Sequence, residues 1–267
     1  LSAALRRDRT SAIYSSEPNV APNRQSATSP RLGAVWQFAP NQAVYAQYQE
    51  ALATNNGRDT VTLAALQPEK ARQFEVGYKA ALFDGKLTST VALFQLVKRN
   101  RAANVVIDQP PYYNLETVGK ARSRGLEWDV SGEITKKLSV IASYAYTDAV
   151  VTEDPTYQGK RLPNVAKHSG SVWARYAFDS RWSGGAGVFA QSSRPGDTAN
   201  TFRLPGYARV DARLAYRFAW GAGKAALQFN LDNVFDRKYY TGSHQFVQDW
   251  IKLGTPRTAK LTLRVDY

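Results

Sequence analysis

The chain of 267 residues contains no cysteine and no methionine, and only two histidines. Without cysteine there is no disulfide, no thiolate metal site and no thiol nucleophile. An oxidising compartment is not thereby excluded, because such a compartment does not oblige a protein to carry cysteine. No apolar run approaches the roughly 18 residues that a membrane-crossing helix needs, since charges or glycines interrupt each one. Helical periodicity is nearly absent. No signal-peptide pattern stands at the start and the chain opens on Leu1, so it is expected to be a processed product or a fragment. What is plentiful is aromatic and basic. Six Trp, fifteen Tyr and eleven Phe supply enough apolar surface to exclude a disordered chain, although mean hydropathy is −0.43. Lys and Arg number 35 against 22 acidic residues, a formal net charge of +13. The length suits one large domain or two small ones.

The dominant period is two. Ala259, Leu261, Leu263, Val265 and Tyr267 alternate with Thr258, Lys260, Thr262, Arg264 and Asp266, so one face is apolar and the other polar. The same alternation places Val210, Ala212, Leu214, Tyr216 and Phe218 opposite Arg209, Asp211, Arg213 and Arg217. It recurs with Leu227, Phe229 and Leu231, with Phe74, Val76 and Tyr78 opposite Gln73, Glu75 and Lys79, and with Leu126, Trp128 and Val130 opposite Glu127, Asp129 and Ser131. The fold class read from this pattern is all-β.

Turn signals stand at Ala39–Gln42, Asp84-Gly85, Thr135–Lys137, Asp179–Arg181 and Gly221–Gly223. Between them lie polar stretches of roughly residues 10–28, 52–70, 100–118, 150–165, 193–206 and 241–254. The order long loop, strand, tight turn, strand therefore repeats six times. It gives about twelve antiparallel strands, the first of them (Leu1–Arg9) read as a cut strand, with all tight turns at one end. A soluble β-sandwich is the competing architecture. Charges such as Arg209, Arg213, Lys260, Arg264 and Glu127 cannot fill a dry core unpaired, but they suit a wet lumen with the apolar face toward lipid. Trp36, Phe38, Phe83, Phe178, Trp182, Phe218, Trp220 and the terminal Tyr267 flank the tight turns like an interfacial girdle. Tyr48, Phe94, Tyr146 and Tyr239 are candidates for the second girdle. The expected architecture is an antiparallel transmembrane β-barrel.

Particular phrases carry a resemblance. Leu66-Gln67-Pro68-Glu69-Lys70 followed by Phe74-Glu75-Val76-Gly77-Tyr78-Lys79, then Arg124-Gly125-Leu126-Glu127-Trp128-Asp129 and Leu162–His168, resemble strands of TonB-dependent outer-membrane receptors. Gly196-Asp197, Ala199-Asn200-Thr201-Phe202 and Leu204-Pro205-Gly206-Tyr207 resemble the ferric-siderophore branch most. Asn230–Tyr240 and Gly254–Thr258 complete the order. The resemblance implies a barrel of about 22 strands closed by an N-terminal plug, active uptake of ferric siderophore, and energy supplied by TonB through the plug. Residues 1–267 would then be the C-terminal part of the barrel domain, with plug and TonB box missing. The cysteine pair common in the last long loop of relatives is absent. When complete, such a receptor is expected to be a monomer in the outer membrane of a Gram-negative bacterium.

Nucleic-acid binding is excluded by the spread of basic residues over every strand and loop. A basic lumen would instead attract an anionic ferric siderophore, and outer-rim Lys and Arg would meet lipopolysaccharide phosphates. No catalytic signature is present: His168 has Ser169 and Ser171 nearby, but strand spacing separates their faces. Gly184–Gly187 resembles a glycine-rich loop yet sits inside a strand pattern, where small residues relieve crowding. Iron arriving already chelated calls for no protein metal ligand and no cofactor. Candidate ligand contacts are loop aromatic and basic residues, whose flat surfaces and guanidinium forks suit an anionic chelate: Tyr112, Tyr113, Arg101, Tyr157, Arg161, Arg203 and Trp250, with Arg99, Arg194 and Phe246 behind them. The alternatives are an importer of another scarce ligand such as a cobalamin or glycan, or a stand-alone twelve-stranded passive channel or lipase-like barrel.

Overall fold

Alternating segments become strands because each can pair its backbone with a neighbour while sending its apolar residues to one side. In the computed structural model they do so in sequence order. Residues 1–12, 22–55, 57–110, 113–221, 223–244 and 250–266 are described; Tyr112, Phe246 and Tyr267 lie outside them. Twelve strands form one antiparallel sheet: β1 (Ser2–Ala12), β2 (Asn23–Ala39), β3 (Gln42–Ala53), β4 (Glu69–Leu82), β5 (Leu87–Val106), β6 (Tyr113–Glu133), β7 (Leu138–Glu153), β8 (His168–Ala177), β9 (Trp182–Gln191), β12 (Tyr207–Trp220), β13 (Gly223–Asp232) and β16 (Thr258–Asp266). Two small pairs, β10 (Arg194–Pro195) with β11 (Arg203–Leu204) and β14 (Tyr240–Ser243) with β15 (Ile251–Leu253), lie within the last two long connections. The strands form a simple meander with β1 and β16 as edges. The five tight turns therefore fall at one end and the long connections at the other, as the turn signals required. At the β4–β5 turn Phe83, Asp84 and Gly85 all take positive φ (52°, 54° and 81°), a tight reversal for which glycine carries no Cβ penalty.

Register confirms the facing. Trp36, Val44, Tyr78, Val91, Trp128 and Tyr144 stand opposite one another across six successive strands on the apolar face. Leu261, Leu263, Leu214, Phe229 and Trp128 are exposed there, at 68% for Leu261 and 53% for Leu263. Arg209, Asp211 and Arg213 lie on the opposite, half-buried face. A sandwich would bury one of these faces against a second layer. Here the fully buried large residues (Arg194, Leu204, Val151, Asn23, Asn233 and Pro195) cluster at the long-loop end, and the apolar face keeps its large side chains uncovered. A single sheet of this kind recovers its hydrophobic free energy only from a second apolar phase, which is the logic of a barrel in lipid.

Three expectations are corrected. The stretch 100–118 is not mainly loop: β5 and β6, of 20 and 21 residues, extend to Val106 and from Tyr113, so Arg101 and Tyr113 sit on a β-ribbon. At about 3.3 Å per residue these strands span over 60 Å, well beyond the 9–11 residues that cross a bilayer. The second girdle keeps Tyr48 and Tyr146 but loses Phe94 and Tyr239. Phe94 faces Gly125 on the polar side, and Tyr239 is 4% exposed beneath the loops. The first strand extends past Arg9 to Ala12.

Candidate functional site

The long-loop end of the polar face is where chemistry gathers. Inward-facing positions of β9 and β12 bring the Phe189 and Tyr207 rings to 6.0 Å, and Tyr239 stacks obliquely on Tyr207 at 4.4 Å. Arg209 lies over the Tyr239 ring at 5.9 Å and donates to its hydroxyl at 3.0 Å. The Arg209 guanidinium is also paired with Asp211 at 2.8 Å, while the other Asp211 oxygen accepts from the Asn233 backbone N–H at 2.7 Å. Asn233, buried with φ 55°, closes the turn after β13. Its side chain donates to the carbonyls of Arg237 and Thr255 and accepts from the Arg237 N–H. The Asn-x-Asp-Asn phrase is thus a clamp that seats Tyr239 against Arg209.

Three long connections are tied together above this cluster. Asn200 (φ 61°) accepts from the Arg161 N–H and donates to its carbonyl, both at 2.9 Å, joining 192–206 to 154–167. Asn164 donates through its side chain to the Ser243 carbonyl at 2.9 Å, and its backbone N–H donates to Pro195. Arg194, only 1% exposed, donates to the Tyr240 carbonyl at 2.9 Å, and burial pulls its pKa down. Burial alone would raise the Asp197 carboxyl, but hydrogen bonds from Thr201 and neighbouring backbone hold it below its ordinary value. A second knot joins the 54–68 connection to β2 and β6. Asp59 accepts from Thr62 and Val61 N–H and from Asn114 Nδ2, and Gln25 donates to the carbonyls of Asn55 and Leu66.

Each candidate contact has a definite place. Tyr113 is exposed beside the second knot, where its carbonyl accepts from Thr60. Arg101 sits in the irregular β5–β6 register opposite Gly119. Tyr157 closes a turn on Asp154, and Arg161 sends its guanidinium back to the Thr147 carbonyl at 3.5 Å. Arg203 is held by Ser193, and exposed Trp250 meets the His244 ring edge-on at 5.4 Å. Arg99 stands opposite Lys70 in the register that carries Val91 and Leu93, so it faces away from the polar side. The connections gather Tyr157, Arg161, Arg203 and Trp250 into one layer and leave Tyr113 and Arg101 in another. Tyr207 and Tyr239, which the structure brings to this cluster, are not among the loop candidates that the sequence offers. Tyr207 was legible as the inward parity of β12, but Tyr239 was not, because a buried tyrosine outside a strand has no period. Among the described residues no group of three or more His, Asp or Glu is placed to hold a metal ion.

His168 pairs with Tyr144 on the apolar side, Nδ1 to hydroxyl at 2.8 Å, whereas Ser171 bonds Ser143. The Ser–His geometry of a hydrolase is therefore not assembled here. Gly185 and Gly187 lie under the Trp173 ring, where an added Cβ would collide with it. Their role is to admit an indole on the polar face, and the glycine-rich stretch is a strand, not a phosphate loop.

Residues 1–234 match the family model described as TonB dependent receptor-like, beta-barrel. The chain belongs to the TonB-dependent receptor β-barrel family. The metal-pseudopaline receptor CntO of Pseudomonas aeruginosa is 38% identical over 251 residues, covering 91% of this chain and 34% of that protein. The ferrichrome outer membrane transporter/phage receptor of Escherichia coli is 34% identical over 217 residues, covering 78% of this chain and 28% of that protein. The crystal structure of the siderophore receptor PiuA from Acinetobacter baumannii superposes with a TM-score of 0.82 at 25% identity, over 98% of this chain and 40% of that one. The chain thus spans about a third of the length of these curated relatives. In a TonB-dependent receptor barrel the polar face lines the lumen and the apolar, outer face meets lipid.

Proposed function

We propose that residues 1–267 are the C-terminal part of the barrel domain, of about 22 strands, in an outer-membrane receptor that imports an anionic ferric siderophore with energy from TonB. The observation that carries this reading is the lumen end beneath the tied loops. Aromatic faces from Phe189 and Tyr207 stand there, backed by buried Tyr239 and Arg209, in a wall whose charged residues are predominantly basic. Aromatic surfaces accept the flat organic part of a chelate, and the excess of basic over acidic residues on the wall draws in its negative charge. Tyr112, Tyr113, Arg101, Tyr157, Arg161, Arg203 and Trp250 are proposed to form the outer contacts, with Phe189 and Tyr207 as the inner ones and Tyr239 buried behind them as support. Relatives named for ferrichrome and ferric pyoverdine support the ligand class. TonB would act through the plug that precedes this part of the barrel. On the outer face, Arg72, Arg122 and Arg124 stand in the register of the lipid-facing row at its loop end, in reach of lipopolysaccharide phosphates. The complete receptor is proposed to act as a monomer. A chelate of another metal is the second reading, favoured by the metal-pseudopaline relative.

The test is uptake of radiolabelled iron, supplied as a panel of ferric siderophores, by cells with and without TonB. Uptake of one chelate, abolished without TonB and with Tyr112 and Tyr113 both changed to Ala, is expected at unchanged receptor abundance. Uptake that persists without TonB would leave a passive channel as the better account.

A further inference from the structure

Burial takes a group out of water, so a buried charge is ordinarily found beside its opposite. Arg194 departs from that rule. It is 1% exposed with only this chain around it, so neither a plug nor further strands could reach it without displacing the loops. One hydrogen bond, from Nη2 to the Tyr240 carbonyl at 2.9 Å, ties it to the last long connection, and Nη1 is buried without a hydrogen-bond partner. Among the described residues no carboxylate stands within ion-pair distance of it. Asp197, three residues further on, spends its carboxylate on the Thr201 N–H and hydroxyl. A guanidinium does not escape by losing its proton, so the charge stays uncompensated. The other bases of the loop end differ. Arg209 is paired with Asp211, Arg203 is exposed on Ser193, and Arg161 is half-buried against the Thr147 carbonyl. Arg194 stands on the β10–β11 pair, opposite Leu204, just beyond the Gln191–Tyr207 pairing of β9 with β12. Its charge is felt at Tyr207.

We propose that Arg194 is the specificity-determining residue of the loop-end site: a buried guanidinium, touching no solute, whose unneutralised charge makes the Phe189–Tyr207 face favour anions over neutral or cationic solutes. A charge at the surface is screened by water and salt within a few ångströms. One held under protein acts through a lower dielectric and keeps its reach. The cost of burying it falls on the folding of the loops, and an anion seated on the aromatic face recovers part of that cost. The inference rests on the importer reading for the identity of the solute, but the field at the face does not.

The test reads the field directly. In the purified full-length receptor Gln191, the register partner of Tyr207, is changed to Cys in a segment that has no cysteine of its own. Its labelling rates by a sulfonate-bearing and a trimethylammonium-bearing methanethiosulfonate are measured by peptide mass spectrometry, and their ratio cancels the reactivity of the thiol itself. The two reagents differ by two charges, so losing one kT of local potential lowers the anion-to-cation ratio about sevenfold. Q191C/R194Q is expected to show that fall and Q191C/R194K to keep the original ratio. Glutamine retains a donor for the Tyr240 carbonyl, so amide protection over 193–206 and 239–244 should be unchanged or higher in R194Q, because the buried charge has gone. A ratio that R194Q leaves unchanged would overturn the proposal, as would a fall that R194K shares, since a structural tie would then suffice. No labelling by either reagent would overturn it too, because no solute would reach the face. If the ratio responds while cells import no ferric chelate, the importer reading falls and Arg194 keeps its role. If import is TonB-dependent but the ratio does not respond, the reverse holds.

Discussion

Leu261 and Lys260 are adjacent on β16 and face opposite phases. Leu261 projects into hydrocarbon, so Leu261→Arg near mid-bilayer is expected to destabilise the complete receptor by about 2–4 kcal/mol in denaturant unfolding from lipid vesicles. Lys260, which pairs with Asp232 at 3.3 Å in an exposed setting, should tolerate Lys260→Gln at a cost of no more than ~1 kcal/mol. Equal costs would contradict the facing. Asp59 belongs to the watery end. Hydrogen bonds from Thr62 N–H and Asn114 Nδ2 hold its carboxyl at about 2, against an ordinary value of 3.8. A carboxyl depressed in the folded state stabilises above its unfolded pKa and loses that contribution as pH falls through the folded one. The 57–66 segment should therefore loosen between about pH 4 and pH 2, read as a fall in amide protection relative to the intrinsic exchange rate at each pH, and Asp59→Asn should lower that protection at neutral pH. Protection factors that stay constant over that window would exclude the role given to Asp59.

Among the elements, the connections are less free than their polar composition suggests. Asn164 and Asn200 take positive φ and spend their amides on other loops, so each is both a bend and a tie. Asn164→Ala with Asn200→Ala should remove roughly 1 kcal/mol or more per lost side-chain bond. The expected outcome is rapid proteolysis within 154–167 with the strands intact. Unchanged protease resistance would mean that the loops are held by other contacts. The β5–β6 ribbon illustrates the opposite case: its bulges near Lys98 and Arg101 let a hairpin continue far past the bilayer, and it carries Arg101 and Tyr113 with it.

At the scale of the molecule, the sheet has two edges, β1 and β16, each with unpaired backbone groups. In hydrocarbon such groups cost several kcal/mol each, so barrels close. Residues 1–267 produced alone should therefore fail to insert as a discrete species and should lack the heat-modifiable gel mobility expected of the complete receptor. A folded, heat-modifiable monomer from this segment alone would show that the two edges can pair with each other.

Sequence alone determined the all-β class, the meander, the end at which the turns lie and the face that meets lipid. All of these follow from local rules, because side chains alternate with period two and turns need particular residues within four positions. The family phrases were legible for the same reason, since Asn233, Gly125 and Asp197 act on neighbours or on the adjacent strand. Tertiary structure alone decided that Tyr239 is buried against Arg209, that Phe94 turns inward and that Arg161 folds back toward Thr147. These depend on which residues thirty or more positions apart come together, or on how a loop settles over a sheet. Chain-local periodicity carries no record of either.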